Sequence, residues 1–116
     1  MKKILIALLI VLFATTAFAA MKNSGAKSAD ALIATGQGVF YGIIVSTDST
    51  NAVTLDIYDN TSASGTKLIP TSTITTASDD RIQSITFENG VEFYKGIYVD
   101  ITCAGTVGYN VYYIIK

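Results

Sequence analysis

The chain has no histidine and no tryptophan, and only one cysteine and one proline in 116 residues. Without histidine it lacks the side chain that most often moves protons near neutral pH. A single cysteine and no histidine leave no ligand set for zinc. Small secreted domains often lean on disulfides, but Cys103 has no second cysteine in its own chain. It continues the alternation Ile97, Val99, Ile101, Cys103, which gives it the place of a small buried apolar group; a bridge between chains is the alternative. Charge is scarce as well, with 8 Lys and Arg against 9 Asp and Glu. Basic patches of the kind phosphate backbones demand are missing, so no nucleic-acid partner is expected.

One long apolar run is present, and it stands at the start. "MKK" is followed by "ILIALLIVLFATTAFA", which ends in Ala17-Phe18-Ala19. A basic start, an apolar stretch of this length and small residues before the cut make residues 1–19 a signal peptide, cleaved before Ala20. The expectation is export by a Sec-type signal to the periplasm, the cell surface or the exterior, with a mature chain that spans no membrane. Its removal leaves six basic side chains (Lys22, Lys27, Lys67, Arg81, Lys95 and Lys116) against nine acidic ones. Residues 20–30, "AMKNSGAKSAD", are small and polar and read as a flexible leader. Residues 31–116 read as one domain.

Within that domain the hydrophobic period is two. "ALIAT" is a short apolar run that could form a first strand. In "VFYGIIVS", Val39, Tyr41, Ile43 and Val45 fall on one face, and Phe40, Gly42, Ile44 and Ser46 on the other. Both faces are mainly apolar, which predicts a central strand. "TDSTN" is a turn cluster. "AVTLDIYD" then puts Val53, Leu55 and Ile57 inward and Thr54, Asp56 and Tyr58 outward, so the two runs form a hairpin or a longer arch. Pro70 in "LIPTSTITT" belongs at an edge or a bulge. "ASDD" is a break, and the Asn89-Gly90 of "ENG" predicts a tight hairpin turn. "GIYVDITC" and "YNVYYIIK" alternate cleanly. Strand signals every 8–12 residues or so, with turns between, predict an all-β protein. The expected fold is a single antiparallel β-sandwich of jelly-roll or Ig-like type, with about 7–8 strands.

The mature acidic residues are Asp30, Asp48, Asp56, Asp59, Asp79, Asp80, Glu88, Glu92 and Asp100. Only folding could bring two of them together as a glycoside-cleaving pair, and most read as solvated turn or outward strand positions. "TDSTN" and "DNTSASG" offer oxygens but neither matches an EF-hand loop, and both read as turns that satisfy their own backbone. No catalytic, cofactor or metal residues are expected, and the chain is read as a non-enzyme. The tyrosines are more informative. Tyr58, Tyr98 and Tyr112 face outward if their aliphatic neighbours face inward, with Ile114 beside the last. Such a patch suits a protein contact or sugar stacking, although tyrosine is also simply a good strand residue.

"YGIIVSTDSTNAVTLDIYDNTSASGTKLIP" and "GIYVDIT", followed by a Tyr-rich last strand, resemble small β-sandwich proteins of tailed bacteriophages and prophages. That resemblance runs from Gly38 to about Tyr113 and implies a virion-surface or fibre-associated module without catalytic residues. The functional expectation is a secreted structural or adhesive sandwich. Its partners would be copies of itself, forming an oligomer or polymer, or another surface protein. Strand donation by Ala31, Leu32, Ile33, Ala34 and Thr35 is one route to filaments. The alternatives are a monomeric module that binds a glycan and a phage-derived virion decoration protein.

Overall fold

Turn clusters and two-residue alternation divide the chain into eight strands: β1 (Lys22–Asn23), β2 (Ala31–Thr35), β3 (Gly38–Thr47), β4 (Val53–Tyr58), β5 (Ser72–Ile74), β6 (Ile82–Phe93), β7 (Gly96–Cys103) and β8 (Val107–Ile115). The structure is a computed structural model and describes residues 20–75 and 81–116; the expected signal peptide at 1–19 and the Ala77–Asp80 break lie outside them. Among the described residues there is no helix.

The strands form two four-stranded sheets, ordered β1-β8-β3-β6 and β2-β7-β4-β5. Every pairing is antiparallel. The chain pairs with itself from its ends toward its middle: β1 with β8, β2 with β7, β3 with β6 and β4 with β5. Pairings of β3 with β8 and of β4 with β7 then close each sheet. A nested hairpin rolled into two sheets in this order is a jelly roll, which decides between the two sandwich types expected. The connection through Thr47–Asn51 crosses between sheets, so β3 and β4 form an arch and not a hairpin.

Between the sheets lies one apolar core. Val53, Leu55 and Ile57 of β4, Ile97 and Val99 of β7, and Val111 of β8 are fully buried, as the alternation requires. Tyr109 and Tyr113 of β8 join them. Cys103 is a free, half-buried thiol at the end of β7, opposite Val53 and packed against the core. Pro70 lies just ahead of β5, the three-residue edge of its sheet.

Four expectations change. First, β3 is central, between β8 and β6, but its faces are not continuous. Tyr41 is a bulge, since Phe40 opposes Tyr113 while Gly42 opposes Tyr112. The extra residue resets the alternation, so Phe40 joins Ile43 and Val45 in the core and Tyr41 does not. Second, Asn89-Gly90 makes no hairpin turn. The chain continues along β3, with Thr86 opposite Gly42 and Val91 opposite Phe40, so residues 87–90 bulge within β6. Gly90 supplies the left-handed φ of 74° that the bulge needs.

Third, residues 20–30 do not form a free leader. Lys22 and Asn23 pair with Tyr113 and Tyr112, and Lys27 and Tyr109 exchange backbone hydrogen bonds of 2.9 and 2.8 Å. This polar stretch thus follows the outer edge of β8. Fourth, Ala31–Thr35, the expected donor strand, is β2 of its own sandwich, paired with β7 and bulged between Leu32 and Ala34.

Candidate functional site

The outer face of the β2-β7-β4-β5 sheet carries most of the chemistry. Val53, Leu55 and Ile57 point inward from β4, so Thr54, Asp56 and Tyr58 point outward. The same parity turns Tyr98, Asp100 and Thr102 of β7 outward. The register sets these side chains in rows: Tyr58 opposes Tyr98, Asp56 opposes Asp100, and Thr54 opposes Thr102. The aromatic row extends across β7 to Leu32, which opposes Tyr98 and is 45% exposed. At its other end, Lys67 bridges to Tyr58 along the backbone and holds its Nζ 5.7 Å from the ring centroid. The stripe Leu32–Tyr98–Tyr58–Lys67 therefore crosses the sheet.

Beside it runs an acidic row. Asp30 precedes β2 and accepts a 2.8 Å hydrogen bond from the Ile101 amide. Asp56 accepts from Lys67 Nζ at 2.8 Å and from the Thr71 hydroxyl. The hydrogen bond from Lys67 is the largest influence holding the Asp56 carboxyl below its usual range, and the same contact raises Lys67. Asp100 moves the other way, raised first by desolvation and then by the charges of Asp30 and Asp56. Folding therefore does bring two carboxylates together with opposed proton affinities. They lie on an open sheet face, and one is already held by a lysine and a threonine. This suits an acceptor for hydroxyl groups. Among the described residues, no three His, Cys, Asp or Glu side chains gather as a metal-binding group.

Tyr112 and Ile114 lie elsewhere. They belong to β8, in the other sheet, where they oppose Gly42 and Val39. The four expected contact residues thus divide into a Tyr58–Tyr98 pair on one outer face and Tyr112 with Ile114 on the opposite one. That second face has a shallow apolar hollow of about 180 Å³, lined by Ala26, Ile44, Ser46, Ile82, Gly108 and Asn110 among others. Ile82, at its rim, is 69% exposed.

Sequence reading identified the outward tyrosines but missed Asp56, Asp100 and Lys67 as their neighbours. The alternation of "TLDIY" and "IYVDI" puts an Asp two residues from each Tyr, and this shared spacing was the available signal. Lys67 had none, because a loop and a single bridge bring it to Tyr58. Other acidic residues serve turns. Asp59 Oδ1 accepts from the amides of Tyr94 and Lys95 at 2.9 and 2.8 Å, which fixes the β6–β7 connection. No family model, curated protein or solved structure matches the chain.

Proposed function

We propose that this protein is an exported, non-catalytic jelly roll that works as a building or adhesive module, docking on a larger surface structure or on copies of itself. The observation that supports this reading is the stripe Leu32–Tyr98–Tyr58–Lys67 on one outer sheet face. Tyrosine supplies a broad contact area with few rotatable bonds, and such residues dominate interfaces. A face that served only to shield the core would not need an aromatic row flanked by an exposed leucine. Jelly rolls are used in viral capsids and in lectins, so a virion decoration role fits the same architecture, though a fold alone does not assign a function. The test is a double variant, Tyr58→Ala with Tyr98→Ala, examined by size-exclusion chromatography and negative-stain microscopy. Assemblies should form with the parent protein and be lost with a folded double variant. Undiminished assembly in the variant contradicts the reading.

A second reading has its own support. The acidic row Asp30–Asp100–Asp56 lies one step from the tyrosines. Aromatic faces stack on the apolar faces of sugar rings, and carboxylates accept hydrogen bonds from their hydroxyls. Here the protein would be a monomer that binds a saccharide. Glycan-array binding that disappears in Asp100→Asn, with the fold intact, favours this reading; an array without signal dismisses it.

A further inference from the structure

The chain has five asparagines, and four of their side chains are tied down. Asn23 Oδ1 accepts from the Gly25 amide at 2.8 Å and from Asn110 Nδ2 at 3.2 Å. Asn51 Nδ2 donates to Asp48 Oδ2 at 2.8 Å, and Asn60 Nδ2 to the Ser64 carbonyl at 2.9 Å. Asn89 is exposed, and among the described residues no hydrogen bond holds its side chain. The residue that follows it differs too. Ser24, Ala52, Thr61 and Val111 follow the other four, each with a Cβ that crowds its own backbone nitrogen, whereas Gly90 follows Asn89. The backbone there is also released from the ladder. Thr86 opposes Gly42 and Val91 opposes Phe40, so residues 87–90 have no opposite residue on β3. β6 is moreover the edge of its sheet.

We propose that Asn89 is a modification site at which the protein converts its own side chain, with water as the only co-reactant. The Gly90 backbone nitrogen gives up its proton to solvent and attacks Asn89 Cγ. A bond from Cγ to that nitrogen forms, the bond from Cγ to Nδ2 breaks, and ammonia leaves with a proton from solvent. A cyclic imide remains. Water then opens it at either carbonyl, and nothing is oxidised or reduced. Opening at Cγ gives aspartate. Opening at the Asn89 backbone carbonyl gives isoaspartate, in which the main chain runs through the former side chain. Either product adds a negative charge between Glu88 and Glu92. Isoaspartate also lengthens the main chain within a crowded bulge, where even a Cβ at Gly90 would meet the Val39 side chain, the Phe40 carbonyl and the Tyr41 ring. The adjoining pair of Val91 with Phe40 should loosen. Tyr58 and Tyr98 belong to the other sheet, so the docking stripe is left as it was. Aged molecules would thus be marked by a weakened sheet edge.

The test is peptide mapping by mass spectrometry on folded protein held warm at mildly alkaline pH, beside a sample unfolded in urea. In the folded sample the Asn89 peptide should split into aspartate and isoaspartate forms while the other four asparagines stay intact. Isoaspartyl methyltransferase should label the same peptide. Aged parent protein should melt below fresh protein. Asn89→Gln, whose longer side chain closes its ring slowly, should abolish the labelling and the fall in melting temperature together. Because no hydrogen bond depends on the Asn89 side chain, that variant should fold as the parent does. A folded sample that keeps Asn89 intact overturns the proposal, and the urea sample shows whether the fold is what protects it. Conversion spread equally over all the asparagines overturns it as well.

Discussion

Asp48 ties together two loops far apart in the chain. Its Oδ1 accepts from the amides of Thr50 and Asn51, both at 2.9 Å, and its Oδ2 from Asn51 Nδ2 at 2.8 Å and the Thr106 amide at 3.2 Å. These bonds favour the ionised form, Asn51's amide first, and hold the carboxyl well below its ordinary value of 3.8. A depressed folded value means that the stabilisation is present above 3.8 and lost as pH falls through the folded value. Melting temperature should therefore drop as pH falls from about 5 to about 2, and Asp48→Asn should flatten that slope in a thermal-melting series. A Cβ at Gly105 would overlap the same carboxylate, so Gly105→Ala should lower stability by about 1–3 kcal/mol in urea titration. Tyr109 gives the alkaline counterpart. It is 2% exposed, and its hydroxyl donates to the Ala29 carbonyl at 2.6 Å. Desolvation first, and then Asp30, push it up from 10.0 to about 12. A raised value means that its stabilisation is complete below 10.0 and lost as pH rises to about 12. Tyr109→Phe should remove that alkaline loss and cost about 1 kcal/mol at neutral pH, measured by the same titration.

At the scale of single strands, much was legible and the rest fails for identifiable reasons. β4, β7 and β8 follow their alternation, and Val53, Val99 and Val111 are buried where it puts them. β3 and β6 were misread at their bulges. A hairpin turn and a bulge both use glycine at positive φ, so Asn89-Gly90 carries the same local signal for either. What decides is that Phe40 and Gly42 hold Val91 and Thr86 on either side of it, a register set by a distant strand. A Cβ at Gly90 would run into the Val39 side chain, and φ is 74° there. Gly90→Ala should therefore destabilise the protein by about 1–2 kcal/mol in urea titration. Residues 20–30 were misread for a related reason. Their composition is that of a linker, but Lys22, Ser24 and Lys27 are held by backbone groups of β8, and main-chain pairing leaves little mark on sequence.

Over the whole molecule, the nested pairing of ends toward the middle explains which part of the candidate site could be read. That Tyr58 and Tyr98 face outward follows from period two alone. That they are neighbours requires β4 and β7 to meet, which only the rolled topology provides. The same topology sends Tyr112 and Ile114 to the opposite sheet, where no spacing in the sequence would have put them. The outer face of the β2-β7-β4-β5 sheet is the surface on which the functional reading depends. Mass-spectrometric footprinting of tyrosines tests it most directly, comparing purified protein with the protein in native surface material. Tyr94, 61% exposed and off that face, serves as the reference. The reading predicts that Tyr58 and Tyr98 become protected in the native material while Tyr94 reacts equally in both; equal reactivity of all three tyrosines in the two samples would contradict it.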